Sequence, residues 1–293
     1  MRRRAGGVRF CFIGKAVSIM SLEEPTSVYL GRPAVIEFSG PDAVRFLNGQ
    51  VTQDVRRVLA ESCALPSCIT DAKGKLQFRV MISSGCNESL RVSCAALDAE
   101  NLLERLTRYL IADDVEVHDL SGNYQLVHHF FSEGGDASYR YGKMGWDQWI
   151  ASQEVYSHFL TEESNQWQAW RIRQGIPQWG HEITAGMLPP EAALDQTDIS
   201  YQKGCYIGQE VISRIKSAGK VNQRLTHWLI PHACEVERPE LVDEDGHAAG
   251  RLTSISPEIE PTGRHALGYL KRSATAAFVQ DAATGQLVKL SPI

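Results

Sequence analysis

Two long apolar runs joined by a tight turn constrain the fold more than any other feature of this sequence. Residues 63–70 (CALPSCIT) and 75–83 (KLQFRVMIS) are rich in residues that favour strands, and the tetrad DAKG between them has the composition of a turn. We therefore predict a β-hairpin. A short strand at 34–38 (AVIEF) precedes it and another at 89–95 (SLRVSCA) follows it. Strands in this order, interrupted by helices, indicate an α+β domain built on an antiparallel sheet.

Helix signals stand between these strands. The tripeptide Gly-Pro-Asp at 40–42 predicts a helix that reaches Leu47, with Gly49 just past its end. Asp98 is placed to cap a second helix, whose apolar stripe runs from Leu102 to Leu110 at the spacing of an amphipathic helix. The strand-like run VEVHDL (115–120) closes this unit.

The composition changes twice further along the chain. Five of the six tryptophans lie between residues 125 and 222, which fits either a second core with large aromatic side chains or a cavity for a flat ligand. The last seventy residues are short strands separated by turn signals, as in a small β-barrel. We place the parts at 1–20 (a leader or misassigned start), 21–122, 123–222 and 223–293.

Charge and hydropathy exclude several classes of protein. No run of 18 apolar residues is present, so we expect no membrane span. The first twenty residues carry five basic residues and no acid, which leaves 25 basic against 35 acidic residues in the body. Because nonspecific nucleic-acid affinity comes mainly from Lys and Arg, we expect no strong direct binding to nucleic acid. The basic leader allows a transit peptide, which would place the protein in the mitochondrial matrix instead of the cytoplasm.

The seven cysteines do not form a metal or disulfide framework. No C-x-x-C motif is present and the number is odd, which suits free thiols in a reducing compartment. Cys63, Cys68, Cys86 and Cys94 lie in or near strand-like runs, and we predict that they are small core residues. No metal site is predicted.

Cys205 has different surroundings, in the octapeptide KGCYIGQE at 203–210. The apolar stripe at 211, 212 and 215 predicts a helix that begins near residue 207 or 208 and ends near 216. Cys205 would then lie just before the positive end of a helix, and Lys203 would add a second positive charge that favours the thiolate. Gly204 and Gly208 allow sharp turns and close approach of another group. The carboxylate of Glu210 would oppose thiolate formation if it pointed the same way.

The same octapeptide resembles the K-G-C-[FY]-x-G-Q-E signature of the YgfZ family, folate-binding proteins linked to iron–sulfur cluster assembly. The segments FSGPDAVRFLNGQVTQDV, DAKGK, WRIRQGIP, PPEAALD and VNQRL are also similar to that family. The family is related to the glycine-cleavage T-protein, an aminomethyltransferase that uses tetrahydrofolate. The resemblance implies a T-protein-like fold of three parts around a central folate channel, with a small β-barrel at the C-terminus.

The resemblance also implies a set of functional residues. Tetrahydrofolate or a derivative would stack on an aromatic side chain such as Trp170, while a base such as Arg171 or Arg173 would pair with its glutamate tail. Glu191, in PPEAALD, is assigned to the same folate site. Cys205 would be a redox or cluster-handling thiol, and the rest of the motif would orient it, namely Lys203, Gly204, Tyr206, Gly208, Gln209 and Glu210.

Three functions are compatible with these residues. The first is a cytoplasmic folate-binding accessory protein that supports assembly or repair of iron–sulfur enzymes, including those that modify tRNA. The second is a folate-dependent aminomethyl or one-carbon transferase, but the acidic residues that the T-protein carries in its hairpin align with Phe78 and Arg79, which leaves proton transfer without an obvious agent. The third is a binding module in which Cys205 only packs.

Overall fold

A ten-stranded sheet forms most of the first two thirds of the protein. The computed structural model describes residues 26–95, 98–130, 134–142, 145–154 and 159–293, so the predicted leader at 1–20 and Cys11 lie outside the described residues. The strands of this sheet are β1 (Ser27–Tyr29), β2 (Ala34–Ser39), β3 (Cys63–Thr70), β4 (Leu76–Ser84), β5 (Leu90–Cys94), β6 (Glu116–Asp119), β7 (Tyr124–Phe130), β8 (Ala137–Ser138), β9 (Gly145–Ala151) and β10 (Leu160–Thr161). Their order across the sheet is β10-β1-β7-β9-β8-β3-β4-β5-β2-β6.

The predicted hairpin is confirmed. Strands β3 and β4 pair antiparallel, with Leu65 opposite Ile82. The turn between them is closed by Asp71, whose Oδ1 accepts from the backbone N–H groups of Lys73 at 2.9 Å and Lys75 at 2.8 Å. Gly74 has φ +71°, a conformation that glycine adopts without steric cost. Local turn chemistry therefore accounts for the hairpin.

Three helices accompany this half of the sheet. They are α1 (Ala43–Gln50), α2 (Arg56–Glu61) and α3 (Ala99–Thr107). The prediction for α1 was wrong at its end, since the helix continues through Gly49. Helix α3 begins after Asp98 as predicted but ends before Leu110, so the apolar stripe outlasts the helix. The inward faces of α1 and α3 pack on the sheet through side chains such as Leu47 and Leu102, which are fully buried.

The two predicted parts that precede the barrel share one sheet. Strand β1 pairs antiparallel with β7 and parallel with β10. Strand β8 pairs parallel with β3, where Cys63 lies opposite Ala137. Continuous pairing across residue 122 brings the hairpin of the first part next to strands of the second, which is the arrangement that encloses the cavities described below.

Two further helices complete the second part. Helix α4 (Asn165–Arg173) begins after Ser164, whose Oγ accepts from the backbone N–H of Trp167, and helix α5 is Gln209–Ala218. Trp167 and Trp170 on α4 have no exposed surface and pack against Phe130. No helix in the described part of the chain has the length and apolar character needed to cross a membrane.

The C-terminal strands form a nearly closed, barrel-like sheet, as predicted. They are β11 (Gln223–Ile230), β12 (Glu240–Val242), β13 (Ala248–Ile255), β14 (Arg264–Lys271), β15 (Phe278–Gln280), β16 (Leu287–Lys289) and β17 (Ser291–Pro292). Their order is β16-β15-β12-β13-β14-β11-β17. Trp228 and Ile230 of β11 lie in the barrel core, so the alternate residues of the same strand face the rest of the protein.

Candidate functional site

Lys203 anchors the KGCYIGQE loop to the end of helix α1. Its side chain is 7% exposed, and Nζ donates to three backbone carbonyl oxygens, those of Asn48, Val51 and Gln53, at 2.5, 2.7 and 2.8 Å. The last carbonyls of a helix have no partner within the helix and carry the negative end of its dipole. The ammonium group of Lys203 therefore caps α1 from a position 150–155 residues further along the chain.

This geometry changes the role expected for Lys203. All three ammonium hydrogens have carbonyl acceptors, and no hydrogen bond between Lys203 and Cys205 is present in the described structure. Burial lowers the pKa of Lys203 to about 7, and the nearby carboxylate of Asp54 opposes that shift. An effect of Lys203 on the thiol stays a prediction, whereas its contact with α1 is direct.

Glycine is required where the loop meets the β3–β4 turn. Gly208 precedes α5 with φ +87°, and a Cβ there would lie 2.5 Å from the carbonyl oxygen of Asp71 and 3.0 Å from Cα of Gly74. Thr70 Oγ1 donates to the carbonyl oxygen of Ile207, 137 residues away along the chain, at 2.6 Å. The DAKG turn and the KGCYIGQE loop thus fit together through their backbones.

Cys205 is exposed between two buried anchors. Lys203 lies on one side, and on the other Tyr206 is 7% exposed and packs with Ile199 and Ile212. Gly204 is also exposed, and nothing lies within 4 Å of the position a Cβ would take. The thiol is therefore presented to solvent by a short, fixed segment.

Helix α5 begins at Gln209, close to the predicted start, and places Cys205 four residues before the first helical residue. The carboxylate of Glu210 is exposed and forms an ion pair with Arg214 at 2.7 Å. The ion-pair partner of Glu210 is therefore a cation of the same helix, one turn further along.

The remaining described cysteines differ in exposure. Cys63 and Cys68 are buried in the sheet as predicted, and burial raises the pKa of Cys94 to about 12. The prediction was wrong for Cys86, which is exposed in the β4–β5 turn. Exposed thiols in the described residues are therefore those of Cys86 and Cys205.

A cavity of about 180 Å³ lies between the hairpin and the second part of the sheet. Its wall includes Phe78 and Arg79 from β4 and Arg140, Glu162 and Trp179 from the second part. The two hairpin residues that are predicted to align with the T-protein acids thus line this cavity. Of the tryptophans in the aromatic-rich segment, Trp167 and Trp170 form core, as the first interpretation predicts, and Trp179 borders the cavity. Binding of a flat ligand there stays a prediction.

Arg79 carries its charge beside a buried carboxylate. Its Nε donates to Asp198 Oδ2 at 2.7 Å, and Asp198 has no exposed surface. The other carboxylate oxygen, Oδ1, accepts from Thr197 Oγ1 at 2.6 Å and from Arg79 Nη2 at 3.3 Å. Both oxygens of the acid nearest to Arg79 are therefore engaged.

The opposite wall holds a second arginine and a carboxyl group. Arg140 Nη2 donates to Asp147 Oδ2 at 2.7 Å, and Asp147 Oδ1 also contacts Nδ1 of His128 at 2.7 Å. Glu162 accepts from the hydroxyl of Tyr141 at 3.0 Å, and burial raises the pKa of Glu162. The cavity therefore offers guanidinium donors and a carboxyl group whose pKa is raised by burial. The sequence contained no signal for Arg140 or Glu162, because each depends on the fold for its position.

A second cavity of about 350 Å³ adjoins the first. Both are lined by Arg79, Tyr141 and Pro177, and the second also reaches Leu225 and His227 on the outer face of the barrel. The two cavities together lie in the range of roughly 300–1,000 Å³ that is typical of small-molecule sites. Together their lining residues come from all three predicted parts of the chain.

The residues predicted to contact folate lie elsewhere. Trp170 has no exposed surface, and Arg171 is 1% exposed with Nη1 donating to Glu182 Oε2 at 2.9 Å. Arg173 forms a 3.7 Å ion pair with Glu260. None of these three lines either cavity; Trp170 and Arg171 are core residues, whereas Arg173 is partly exposed. The predicted folate contacts at these positions stay untested.

Glu191 has a local structural role. Its Oε2 accepts from the backbone N–H of Leu188 at 3.2 Å, which closes the 3-10 turn at Pro189–Ala192. It lines a third cavity of about 250 Å³ next to the C-terminal end of α5. The predicted folate role of Glu191 therefore stays untested.

Comparisons with known proteins agree with the sequence resemblance. No family model matches the chain. It is 25% identical over 245 residues to the tRNA-modifying protein YgfZ of Hamiltonella defensa, which covers 72% of this chain and 71% of that one, and 26% identical over 242 residues to YgfZ of Yersinia pestis, with 72% of each chain covered. A putative chloroplastic transferase of Arabidopsis thaliana is 34% identical over 110 residues, which is 38% of this chain and 25% of that protein.

The fold agrees as well. Aminomethyltransferase T of the glycine cleavage system from Bartonella henselae superposes with a TM-score of 0.74 at 15% identity, covering 91% of this chain and 84% of that one. The resemblance to YgfZ proteins and the T-protein-like fold are thereby confirmed.

Proposed function

We propose that this protein binds tetrahydrofolate or a derivative and supports the assembly or repair of iron–sulfur enzymes, including enzymes that modify tRNA. Cys205 acts as its redox or cluster-handling thiol. The observation that carries the folate proposal is the pair of adjoining cavities lined by residues from all three parts of a T-protein-like fold. The observation that carries the thiol proposal is the exposure of Cys205 between two buried anchors.

The chemistry of the first cavity fits a pterin ring. A pterin presents adjacent N–H donors and a carbonyl oxygen on one edge of a flat ring. The carboxylate of Glu162 can accept from the donors, and the guanidinium of Arg140 or Arg79 can donate to the carbonyl. Trp179 and Phe78 supply flat apolar surface.

A titration with tetrahydrofolate under anaerobic conditions tests this proposal. We expect tryptophan quenching and a calorimetric heat, because Trp179 borders the cavity. Glu162→Gln should weaken binding by about tenfold or more, since it removes a charged acceptor. Glu163→Gln is the matched control, because Glu163 is exposed and adjacent in sequence. No heat and no quenching at high micromolar ligand would refute folate binding.

The thiol proposal is tested in cells that lack the protein. Cys205→Ser should fail to restore iron–sulfur enzyme activity under oxidative stress, while Cys86→Ser, which removes the other exposed thiol among the described residues, should restore it. Serine keeps nearly the same volume, so we expect the stability of the variant to change by less than about 1 kcal/mol. Full restoration by a folded Cys205→Ser variant would show that the thiol has no role.

A one-carbon transferase is the alternative function, and the shared fold with an aminomethyltransferase favours it. Against it, Arg79, which is predicted to align with a T-protein acid, lines the cavity, and its own partner Asp198 is buried with both carboxylate oxygens hydrogen-bonded. We expect no turnover with methylene-donating substrates. Measurable aminomethyl transfer would reverse this assignment.

A further inference from the structure

Two histidines on the outer face of the barrel form a chain that ends in the second cavity. His227 of β11 and His265 of β14 lie 2.9 Å apart, from Nε2 of the first to Nδ1 of the second. Nε2 of His265 lies 3.6 Å from Oε2 of Glu260, and the other oxygen of Glu260 lies 3.7 Å from Arg173. A carboxylate thus stands at the outer end of the chain and an imidazole at its inner end.

The sequence of contacts from Glu260 through His265 to His227 determines which ring nitrogens carry protons. Two neutral imidazoles form a hydrogen bond only if one ring nitrogen donates and the other accepts. The carboxylate of Glu260 favours a proton on Nε2 of His265, which leaves Nδ1 of His265 as the acceptor for Nε2–H of His227. Nδ1 of His227 is then a lone-pair acceptor.

The surroundings keep His227 in this state. Burial, followed by the neighbouring His265, lowers the pKa of His227 to about 4, so the ring is neutral at physiological pH. Nδ1 of His227 has no hydrogen-bond partner within the described ranges. Gly175, with φ +70°, has no side chain to fill the space beside the ring, and a Cβ there would lie 3.8 Å from Nδ1.

The position of His227 in the cavity determines which part of a ligand it can contact. The second cavity is lined mainly by apolar side chains, among them Leu194, Leu225 and Leu267, and opens into the first cavity at Arg79 and Tyr141. A ligand whose ring system fills the first cavity would extend a flat apolar portion into the second. The p-aminobenzoyl portion of a folate has this shape and carries N–H donors.

We propose that His227 is a specificity-determining residue that accepts a hydrogen bond from an N–H group of the p-aminobenzoyl-glutamate portion of the ligand in the second cavity. This inference rests on the proposed folate function. It goes beyond that function by assigning the two cavities to different portions of the ligand and by giving the Glu260–His265 pair the task of holding the His227 tautomer.

The experiment compares two ligands and two residues. Tetrahydrofolate and 6-methyltetrahydropterin share the ring system, but only the first carries the p-aminobenzoyl-glutamate portion. Binding of both is measured anaerobically by calorimetry to the wild type, to His227→Phe, and to His232→Phe as the control, since His232 is an exposed histidine in a turn. We expect His227→Phe to weaken tetrahydrofolate binding by about three- to tenfold, the effect of one hydrogen bond. Binding of the pterin should change by less than twofold.

Each other outcome overturns the inference. Equal weakening of both ligands would mean that His227 only supports the fold, and no change for either would mean that it makes no ligand contact. If neither ligand binds the wild type, the folate function itself fails, and the inference fails with it. His227→Leu, which also removes the acceptor and has a smaller side chain, decides the question by the same comparison if the phenylalanine variant does not fold.

Discussion

Replacing Lys203 with methionine tests the anchor of the Cys205 loop. Methionine keeps the apolar stem and removes the three donors, so the carbonyls of Asn48, Val51 and Gln53 lose their partner. At about 1–3 kcal/mol for each buried unpaired group, the loss is about 3–9 kcal/mol. This loss falls on the contact between the loop and helix α1.

The burial of a charge opposes this loss. The pKa of Lys203 is lowered from 10.5 to about 7. At about 1.4 kcal/mol per pKa unit, the unfavourable burial of the ammonium at pH 7 amounts to roughly 4–5 kcal/mol, and methionine removes it. Subtracting this relief from the middle of the range for the lost hydrogen bonds predicts that Lys203→Met lowers the free energy of unfolding by about 1–2 kcal/mol at pH 7.

The pH dependence separates the two contributions. Because the pKa of Lys203 is lower in the folded state, the unfolded chain binds more protons between about pH 7 and 10.5, and the stability of the wild type rises with pH in that window. Methionine does not titrate. The difference in unfolding free energy between the wild type and Lys203→Met should therefore grow by about 2 kcal/mol from pH 7 to pH 9.

Urea unfolding at both pH values, followed by tryptophan fluorescence, measures this difference. Lys220→Met serves as the control because Lys220 is exposed. Hydrogen exchange of residues 204–208 should accelerate in Lys203→Met and stay unchanged in the barrel. A difference that stays flat from pH 7 to pH 9 would show that the carbonyls keep the ammonium protonated. If Lys203→Met is as stable as the wild type and the hydrogen exchange of residues 204–208 is unchanged, Lys203 does not anchor the loop.

Other contacts give equally specific expectations. Gly208→Ala should destabilise the protein by about 2 kcal/mol or more in a thermal melt, because its φ is positive and a backbone oxygen occupies the place of the new Cβ; wild-type stability would contradict the close approach of the two loops. Glu182→Gln should cost about 3–5 kcal/mol in urea unfolding by leaving Arg171 buried without its partner, whereas Glu210→Gln, in an exposed pair, should cost less than about 1 kcal/mol; similar losses would contradict the burial argument. Burial alone would raise the pKa of Asp147, but the cation of Arg140 and the hydrogen bonds with His128 and Arg140 lower it below the unfolded value of about 3.9. The stabilisation from Asp147 should thus be present above about pH 4 and shrink as the pH falls further, and a loss in Asp147→Asn that is equal at pH 7 and pH 3 would contradict this.

The sequence by itself determined the local elements of this protein. The DAKG turn, the strands that flank it and the helix after Gly208 follow from turn chemistry and residue periodicity, which act over a few neighbouring residues. The octapeptide around Cys205 was also recognisable, because its glycines and its lone thiol are unusual at any position. The boundaries of helices were less predictable, as the continuation of α1 through Gly49 shows.

Only the tertiary structure decided which way the long side chains point and which of them are buried. Lys203 caps a helix 150–155 residues away along the chain, and no local pattern encodes that partner. Trp170 and Arg171 are core residues, while Arg140 and Glu162 line the cavity. Residue type alone does not distinguish the buried Arg171 from the cavity-lining Arg140. A flexible polar side chain takes the position where its hydrogen bonds are satisfied, and those partners exist only after distant segments have packed together.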